Sequence, residues 1–382
     1  MKKFLDCISV VGTTPSRFQG TKKYVSTGAV ATTEIDESEV VEVSYEDRPS
    51  RANLSAEAGD ILFAKMQGTR KTLLLDSETE EHIYSTGFYA VRANPEVITT
   101  ECLYYLVDSE LFLTQKDKHC SGATQKAITN GGLAKIEIRV PPLSEQGVLT
   151  EKLRYLTQLI ADKRKQLELF DEVIKSRFIE MFGEPESNPM HWEMLPLENC
   201  LTVLGGYAFK SEEFKASGIP VLRIGNINTG VFTPTNMVYW AKDVSLERYQ
   251  VLPGDLVISL TGTVGKDDYG NVCILGNAYP LYYLNQRNAK LNLGESLNKH
   301  YLSELLKFSQ IKKKLTGISR GVRQANISNR DILNLVVPIP PIELQDQYAA
   351  FVEQTDKSKF EIQQSLEKLE TLKKALMQKY FG

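Results

Sequence analysis

The sequence predicts an α+β protein made by internal duplication: two homologous mixed α/β domains separated by two long antiparallel helices. These helices form a coiled coil about a pseudo-two-fold axis. Three observations predict it. Ala123–Gln146 reads ATQKAITNGGLAKIEIRVPPLSEQ, and Val322–Gln345 reads VRQANISNRDILNLVVPIPPIELQ. Landmarks in and beside them keep a single offset of 199 residues: Gly122 and Gly321, Gln125 and Gln324, Pro141-Pro142 and Pro340-Pro341. Each proline pair leads into a charged segment of helical period that ends in an aromatic residue and glycine, Phe182-Gly183 and Phe381-Gly382. Solenoid units run about 20–50 residues, so this offset marks a whole domain with its helix. A chain of 382 residues suits two domains of the usual ~100–200 residues.

Residues 1–142 form the first domain. Gly59–Ala64 (GDILFA) reads as a turn entering a strand, and Glu101–Leu113 as a helix carried by Leu103, Leu106, Val107 and Leu111. Lys135–Val140 alternates as a strand and stops at the prolines. Residues 143–184 hold the first long helix, Ser144–Met181, with proline before its start and Ser144 placed to cap it. Its seam runs Leu149, Leu153, Leu156, Ile160, Lys163, Leu167, Phe170, Ile174, in the alternating steps of four and three that define a heptad. Residues 185–341 repeat the domain, with Gly254–Ser259 as turn and strand, Tyr301–Leu315 as helix and Leu333–Val337 as last strand. Residues 342–382 hold the second long helix, Glu343–Tyr380, with the seam Tyr348, Val352, Thr355, Lys359, Ile362, Leu366, Leu369, Lys373. At 1.5 Å per residue, each helix spans about 57 Å. A stripe of that length needs a partner, and the chain supplies one of equal length. Because each helix begins where its domain ends, antiparallel pairing would make a spacer with a reading head at each end.

Composition is that of an ordinary soluble protein, with 42% hydrophobic and 24% charged residues. The five cysteines are odd in number and form no C-x-x-C pair, which argues for a reducing cytoplasm rather than disulfides or zinc. Met1-Lys2-Lys3 lacks the apolar run of a signal peptide, and no membrane-length apolar stretch exists. No catalytic constellation is present. His82, His119, His191 and His300 are scattered, no G-x-S-x-G elbow occurs, and no carboxylate pair stands out for acid/base work. Thr261–Lys266 (TGTVGK) departs from a phosphate loop, with Leu260 where its first glycine belongs and Asp267 where Ser or Thr would bind magnesium. The [DN]-P-P-[YF] segment of an adenine methyltransferase is also missing. These absences predict a chain that is not an enzyme, with no catalytic residues, metal or cofactor of its own.

What remains suits binding. The net charge of −3 gives little pull toward nucleic acid, yet Gln310–Arg330 carries six basic residues and no acidic one. In the first domain the candidate contacts are Lys65, Gln67, Thr69, Arg70 and Lys71, then Lys116, Lys118, Gln125 and Lys126. In the second they are Lys210, Arg223, Asn226 and Asn228, then Thr261, Thr263 and Lys266. A last group holds Lys312, Lys313, Lys314, Arg320, Arg323, Gln324 and Asn326. Arginine grips guanine through two acceptors, and Asn or Gln pairs with adenine in the same two-point way. Lysine holds phosphates and fixes register without reading sequence.

With these residues in view, the chain resembles, over essentially its whole length, the specificity subunit of type I restriction–modification systems. The carriers are the duplicated plan, the G-D-[IL]-[LV] turns at Gly59 and Gly254, and Thr261–Lys266. Further carriers are Phe209-Lys210-Ser211, the run Ile219–Ile227 (IPVLRIGNI), and the two P-P-[LI]-x-x-Q helix starts at Pro141–Gln146 and Pro340–Gln345. The first domain departs from the pattern, with Gly68-Thr69-Arg70-Lys71 in place of the fuller Thr-Gly-Thr-Val-Gly. The resemblance implies two target-recognition domains, each reading half of a bipartite, asymmetric site in double-stranded DNA, with the helices setting the spacer. It implies two methyltransferase subunits as partners, which use S-adenosylmethionine, and restriction subunits (translocase and nuclease) that use ATP and Mg2+. Lys163, Lys359 and Lys373, with the outward helix faces, are then candidate methyltransferase contacts. Two other readings stay open: a specificity subunit serving an orphan adenine methyltransferase without a nuclease, and a coiled-coil scaffold whose end domains bind protein.

Overall fold

The computed structural model describes residues 1–123, 125–266, 268–317 and 324–382, the side chain of Gln324 excepted. By internal contacts the chain falls into two units: residues 1–165 with 363–382, and residues 166–362. Each unit therefore holds one domain and half of each long helix, where the sequence had suggested four consecutive segments. The reason lies in packing, because each helix half shares a core with the domain beside it.

In the first unit, Ile8–Val11, Phe88–Ala93, Ile61–Ala64 and Thr72–Leu74 form an antiparallel sheet in that order. A second sheet runs Val41–Ser44, Thr21–Val25, Ile83–Ser85, Ala52–Leu54, and its central pair is parallel. The second unit reproduces both. Leu201–Gly205, Asn288–Leu293, Leu256–Ser259 and Val272–Ile274 form the antiparallel sheet. Val238–Trp240, Ile219–Leu222, Tyr282–Leu284 and Gln250–Val251 form the sheet with a parallel central pair. A two-stranded ladder closes each domain: Lys2–Lys3 with Glu137–Ile138, and Glu193–Pro196 with Val336–Ile339. The last strands are thus shorter or later than their apolar runs suggested, and Leu333 ends a short helix, Asn329–Leu333, instead.

The repeated Gly-Asp turn has a physical basis. Gly59 and Gly254 have φ of 86° and 87°, a region that favours glycine. The following aspartate accepts a backbone N–H across the turn, from Glu57 to Asp60 (2.9 Å) and from Leu252 to Asp255 (2.7 Å). A cation on the neighbouring strand pairs with it: Arg92 with Asp60 (2.6 Å), Lys290 with Asp255 (2.8 Å).

The predicted helix over Glu101–Leu113 is two helices, Thr100–Val107 and Glu110–Lys118. Ser109 divides them: its hydroxyl donates to the Leu106 carbonyl (2.6 Å) and accepts from Phe112 N–H (3.3 Å), capping the second helix. The same break falls between Lys299–Leu305 and Ser309–Thr316 in the second unit.

The long helices are Leu143–Phe182 and Ile342–Phe381. Ser144 lies inside the first turn rather than capping it, and the Pro142 carbonyl accepts from Glu145 N–H (2.9 Å). Both helices end on a glycine with positive φ, Gly183 (78°) and Gly382 (105°), the usual stop for a helix. Their pairing is antiparallel within each unit. In the first, Leu149 and Leu153 near the start of one helix share a core with Met377 and Phe381 at the end of the other. In the second, Ile174, Phe178 and Phe182 meet Tyr348 and Val352. The Tyr348 ring lies 5.5 Å from those of both Phe178 and Phe182. Of the predicted seam, Leu149, Leu153, Leu156, Ile160 and Ile174 are buried, as are Tyr348, Val352, Thr355 and Leu366. Lys359 pairs with Asp171 (2.5 Å), and Lys373 stands 5.9 Å over the Tyr105 ring, where burial pushes its ammonium pKa down. Both lysines are thus engaged inside the chain; Lys163 is half-buried. Among the described residues, no helix is long and apolar enough to cross a membrane.

Candidate nucleic-acid interface

Each domain sends the chain beyond its central antiparallel strand into a short ribbon. In the first domain, strand Ile61–Ala64 continues as Lys65-Met66-Gln67 and pairs with Lys126–Ile128. Gln67 N–H donates to the Lys126 carbonyl and Ile128 N–H to that of Lys65, both at 2.9 Å. In the second, Leu256–Ser259 continues through Leu260 into Thr261–Thr263, which pairs antiparallel with Gln324–Asn326. Ile327 N–H donates to the Leu260 carbonyl (2.8 Å), the counterpart of the Ile128–Lys65 bond. The returning strand lies in the segment that the chain repeats at an offset of 199 residues. Gly122 explains one of its landmarks: φ is 135°, and a Cβ there would stand 2.4 Å from the Gln125 carbonyl oxygen.

The ribbon brings Lys65, Gln67, Gln125 and Lys126 together, and in the other half Thr261, Thr263 and Asn326. Gln67, Lys118, Gln125 and Lys126 are exposed, as are Thr263, Lys266, Lys313, Lys314, Asn326 and, farther off, Lys210. Lys65 is half-buried, donates to the Thr86 carbonyl (2.9 Å) and lies 4.5 Å over the Tyr89 ring; burial lowers its pKa. Thr69 is half-buried too.

Other candidates are held by the fold itself. Lys116 is 1% exposed, and its ammonium donates to the carbonyls of Ala64 (3.3 Å), Met66 (3.0 Å) and Thr69 (2.7 Å). It braces the ribbon from behind, and burial lowers its pKa. Arg70 grips Asp108 with two nitrogens at 2.9 Å. Lys71 donates to the Thr27 carbonyl (2.5 Å). Asn226 is buried: it accepts from Arg223 N–H and donates to the carbonyls of Thr233 and Thr235, each at 3.0 Å. Lys312 is buried and donates to Asn271 Oδ1 (2.6 Å), while the half-buried Asn228 lends its carbonyl to the Asn271 amide. Thr261, also buried, donates to Asn326 Oδ1 (3.1 Å), and Lys210 pairs loosely with Glu213 (3.5 Å). Thr263 donates through N–H (2.8 Å) and hydroxyl (2.9 Å) to Asp268, whose pKa these bonds hold down. Arg320 and Arg323 lie outside the described residues, as does the side chain of Gln324.

The structure adds Asn285, Gln286 and Arg287, which the sequence reading passed over. They form the turn between Tyr282–Leu284 and Asn288–Leu293, and the Arg287 carbonyl accepts from Leu260 N–H (2.8 Å) at the root of the ribbon. Gln286 and Arg287 are exposed. With Arg223 and Asn236 they line a cleft of about 550 Å³, across which Arg223 donates to the Asn236 carbonyl (2.6 Å). The first domain has only Thr86 and Gly87 at this turn. The signal was present in the sequence as a polar run one residue longer than its counterpart.

Comparison with known proteins places this geometry. Residues 12–169 and 189–374 each match the type I restriction modification DNA specificity domain. The type I restriction enzyme MjaVIII specificity subunit of Methanocaldococcus jannaschii is 26% identical over 260 residues, 63% of this chain. The match spans 60% of that relative's own length, less than two thirds of it. The EcoKI specificity subunit of Escherichia coli is 23% identical over 351 residues, covering 84% of this chain and 74% of its own. Among solved structures, the type I restriction-modification system S subunit from M. genitalium superposes with a TM-score of 0.57 at 14% identity. It covers 100% of this chain and 95% of its own. A chain from a type I R-M system, solved to explain complex assembly and conformational transition, gives 0.53 at 20% identity, covering 98% and 97%. At these identities the structural likenesses speak for the fold.

Proposed function

The chain belongs to the family of type I restriction–modification DNA specificity subunits, and we propose that each of its domains reads one half of a bipartite, asymmetric site in double-stranded DNA. The observation that carries this reading is the ribbon, built twice on the same strand and offering Gln, Lys, Thr and Asn side chains to solvent. Such side chains suit the donor and acceptor pattern of base edges and the charge of phosphates. In the first half the contacts are Gln67, Gln125 and Lys126. In the second the contacts are Thr263, Lys266 and Asn326, joined by Gln286 and Arg287. Lys116, Asn226 and Lys312 shape these surfaces from within.

The two long helices set the unread spacer between the half-sites. The chain is the specificity component and not a catalytic one. Two methyltransferase subunits supply S-adenosylmethionine chemistry, and restriction subunits supply ATP- and Mg2+-dependent translocation and cleavage, all in the cytoplasm. Mapping methyladenine across the host genome with and without this gene tests the reading. Loss of one bipartite motif on deletion supports it and gives the target. An unchanged methylation map in a strain shown to express the chain would refute it.

A further inference from the structure

Each long helix begins with a glutamine that is completely buried, Gln146 and Gln345, both at 0% exposure. Their surroundings are the same in the two halves. Gln146 Nε2 donates to the carbonyls of Pro141 (2.9 Å) and Val97 (3.1 Å), and its Oε1 accepts from Thr99 N–H (2.8 Å). Gln345 Nε2 donates to the carbonyls of Pro340 (2.8 Å) and Ser296 (3.0 Å), and its Oε1 accepts from Asn298 N–H (2.9 Å). Thr99 and Asn298 are the caps of the domain helices Thr100–Val107 and Lys299–Leu305. One side chain therefore joins three pieces of backbone: the proline pair, the turn leaving the antiparallel four-stranded sheet, and the start of the domain helix. Both amide protons and one acceptor site are used, so the side chain is fixed at three points, and each contact is to backbone that the domain's sequence cannot easily vary.

We propose that Gln146 and Gln345 are positioning residues that set the angle at which each recognition domain leaves its helix, and so the spacer length the protein accepts. This rests on the reading of a bipartite DNA site given above. Three-point fixing matters because it ties the helix start directly to the domain's backbone, in addition to the core that the two share. A tilt of the domain at this joint moves the ribbon relative to the helix. The two clamps differ in one respect. Asn298 Nδ2 also donates to Asp346 Oδ1 (2.8 Å), whereas the first half has Thr99 and Gly147 at those places. The first joint accordingly lacks this additional side-chain bond.

The test uses the full chain with its copurifying methyltransferase subunits and duplexes carrying the mapped half-sites at the native spacer, one base pair shorter and one longer. Gln146→Met keeps the side-chain length and removes all three bonds. It is expected to lose about tenfold of the discrimination between native and altered spacers while binding duplexes with a single half-site as the wild type does. Gln345→Met, backed by Asn298 and Asp346, is expected to lose less, and carries the same test should Gln146→Met fail to fold. Affinity that falls equally for every spacer length would overturn the proposal, since the glutamines would then serve folding only. A wild type indifferent to spacer length would overturn the bipartite reading itself, and the clamp's role with it.

Discussion

Lys126 is an exposed lysine of the first ribbon and Lys116 a buried one on the helix behind it, and Lys116→Met separates a bracing lysine from one that holds phosphate. If Lys116 held a phosphate, its loss would lower the slope of log K against log salt by about 0.9 and leave stability alone. The geometry gives another outcome. Methionine keeps the stem and removes three charge-assisted bonds, each contributing about 1.5–3 kcal/mol net. Against this, the ammonium no longer has to be buried, which relieves a cost of several kcal/mol. Met66 and Thr69 are half-buried, so their carbonyls can turn to water; Ala64 is 2% exposed and its carbonyl loses this donor, at about 1–3 kcal/mol. The lost bonds and the relieved burial roughly cancel, so the net loss is that of the Ala64 carbonyl, about 2 kcal/mol, concentrated at the ribbon. Hydrogen exchange of the Gln67 and Ile128 amides, which bridge the ribbon, should accelerate about 30-fold, and the salt slope of DNA binding should stay that of the wild type. A slope smaller by about 0.9 with unchanged exchange would refute the argument.

The remaining expectations concern other parts of the same surfaces. Lys126→Met and Lys266→Met should each lower the salt slope by about 0.9 without altering thermal stability, measured by binding titrations at several salt concentrations. Arg70→Met leaves Asp108, whose side chain is 6% exposed, without its guanidinium. Because Arg70 is itself 46% exposed and screened, the expected loss is about 1–2 kcal/mol, seen as a lower urea midpoint. Gln286→Ala with Arg287→Ala should relax base preference in one half of the methylation motif, by about 1–3 kcal/mol per two-point contact, and leave the other half intact. Burial, helped by Lys299, holds His300 below its ordinary pKa against the pull of Glu353 and Asp356. The unfolded chain therefore takes up a proton near pH 6.5 that the folded chain refuses. Stability from this group is full above that pH and lost as pH falls toward the folded value. The drop in melting temperature between pH 7.5 and 5.5 should shrink in His300→Gln, with His82, shifted the same way by burial, keeping part of it.

The duplication and the seam were legible because both rest on local rules. Leu149, Leu153, Tyr348 and Val352 announce their burial by heptad spacing, and Gly59 and Gly254 announce a turn by needing positive φ. Apolar periodicity ran unbroken through Asp108 and Ser109, so a single helix was read where a serine cap starts a second one. Nor does spacing tell which side of a short helix faces the ribbon. Lys116 and Lys118 sit two residues apart, one buried on three carbonyls and the other exposed. Asn226 and Lys312 fall in the same class, since their partners come from the far ends of loops. Asn285–Arg287 was missed because a turn's polar run carries no periodicity, and only the pairing of Leu260 with Arg287 brings it to the ribbon.

The small ladders that close each domain carry a consequence of their own. The chain comes into the first domain on Lys2–Lys3 and departs on Glu137–Ile138. It comes into the second on Glu193–Pro196 and departs on Val336–Ile339. Arrival and departure are hydrogen-bonded neighbours, about 5 Å apart. Everything between them is a cassette plugged into a fixed socket, and the socket is the same twice. A change confined to the residues of a cassette that neither pair in the ladder nor pack on the long helices leaves both the ladder and the shared core intact.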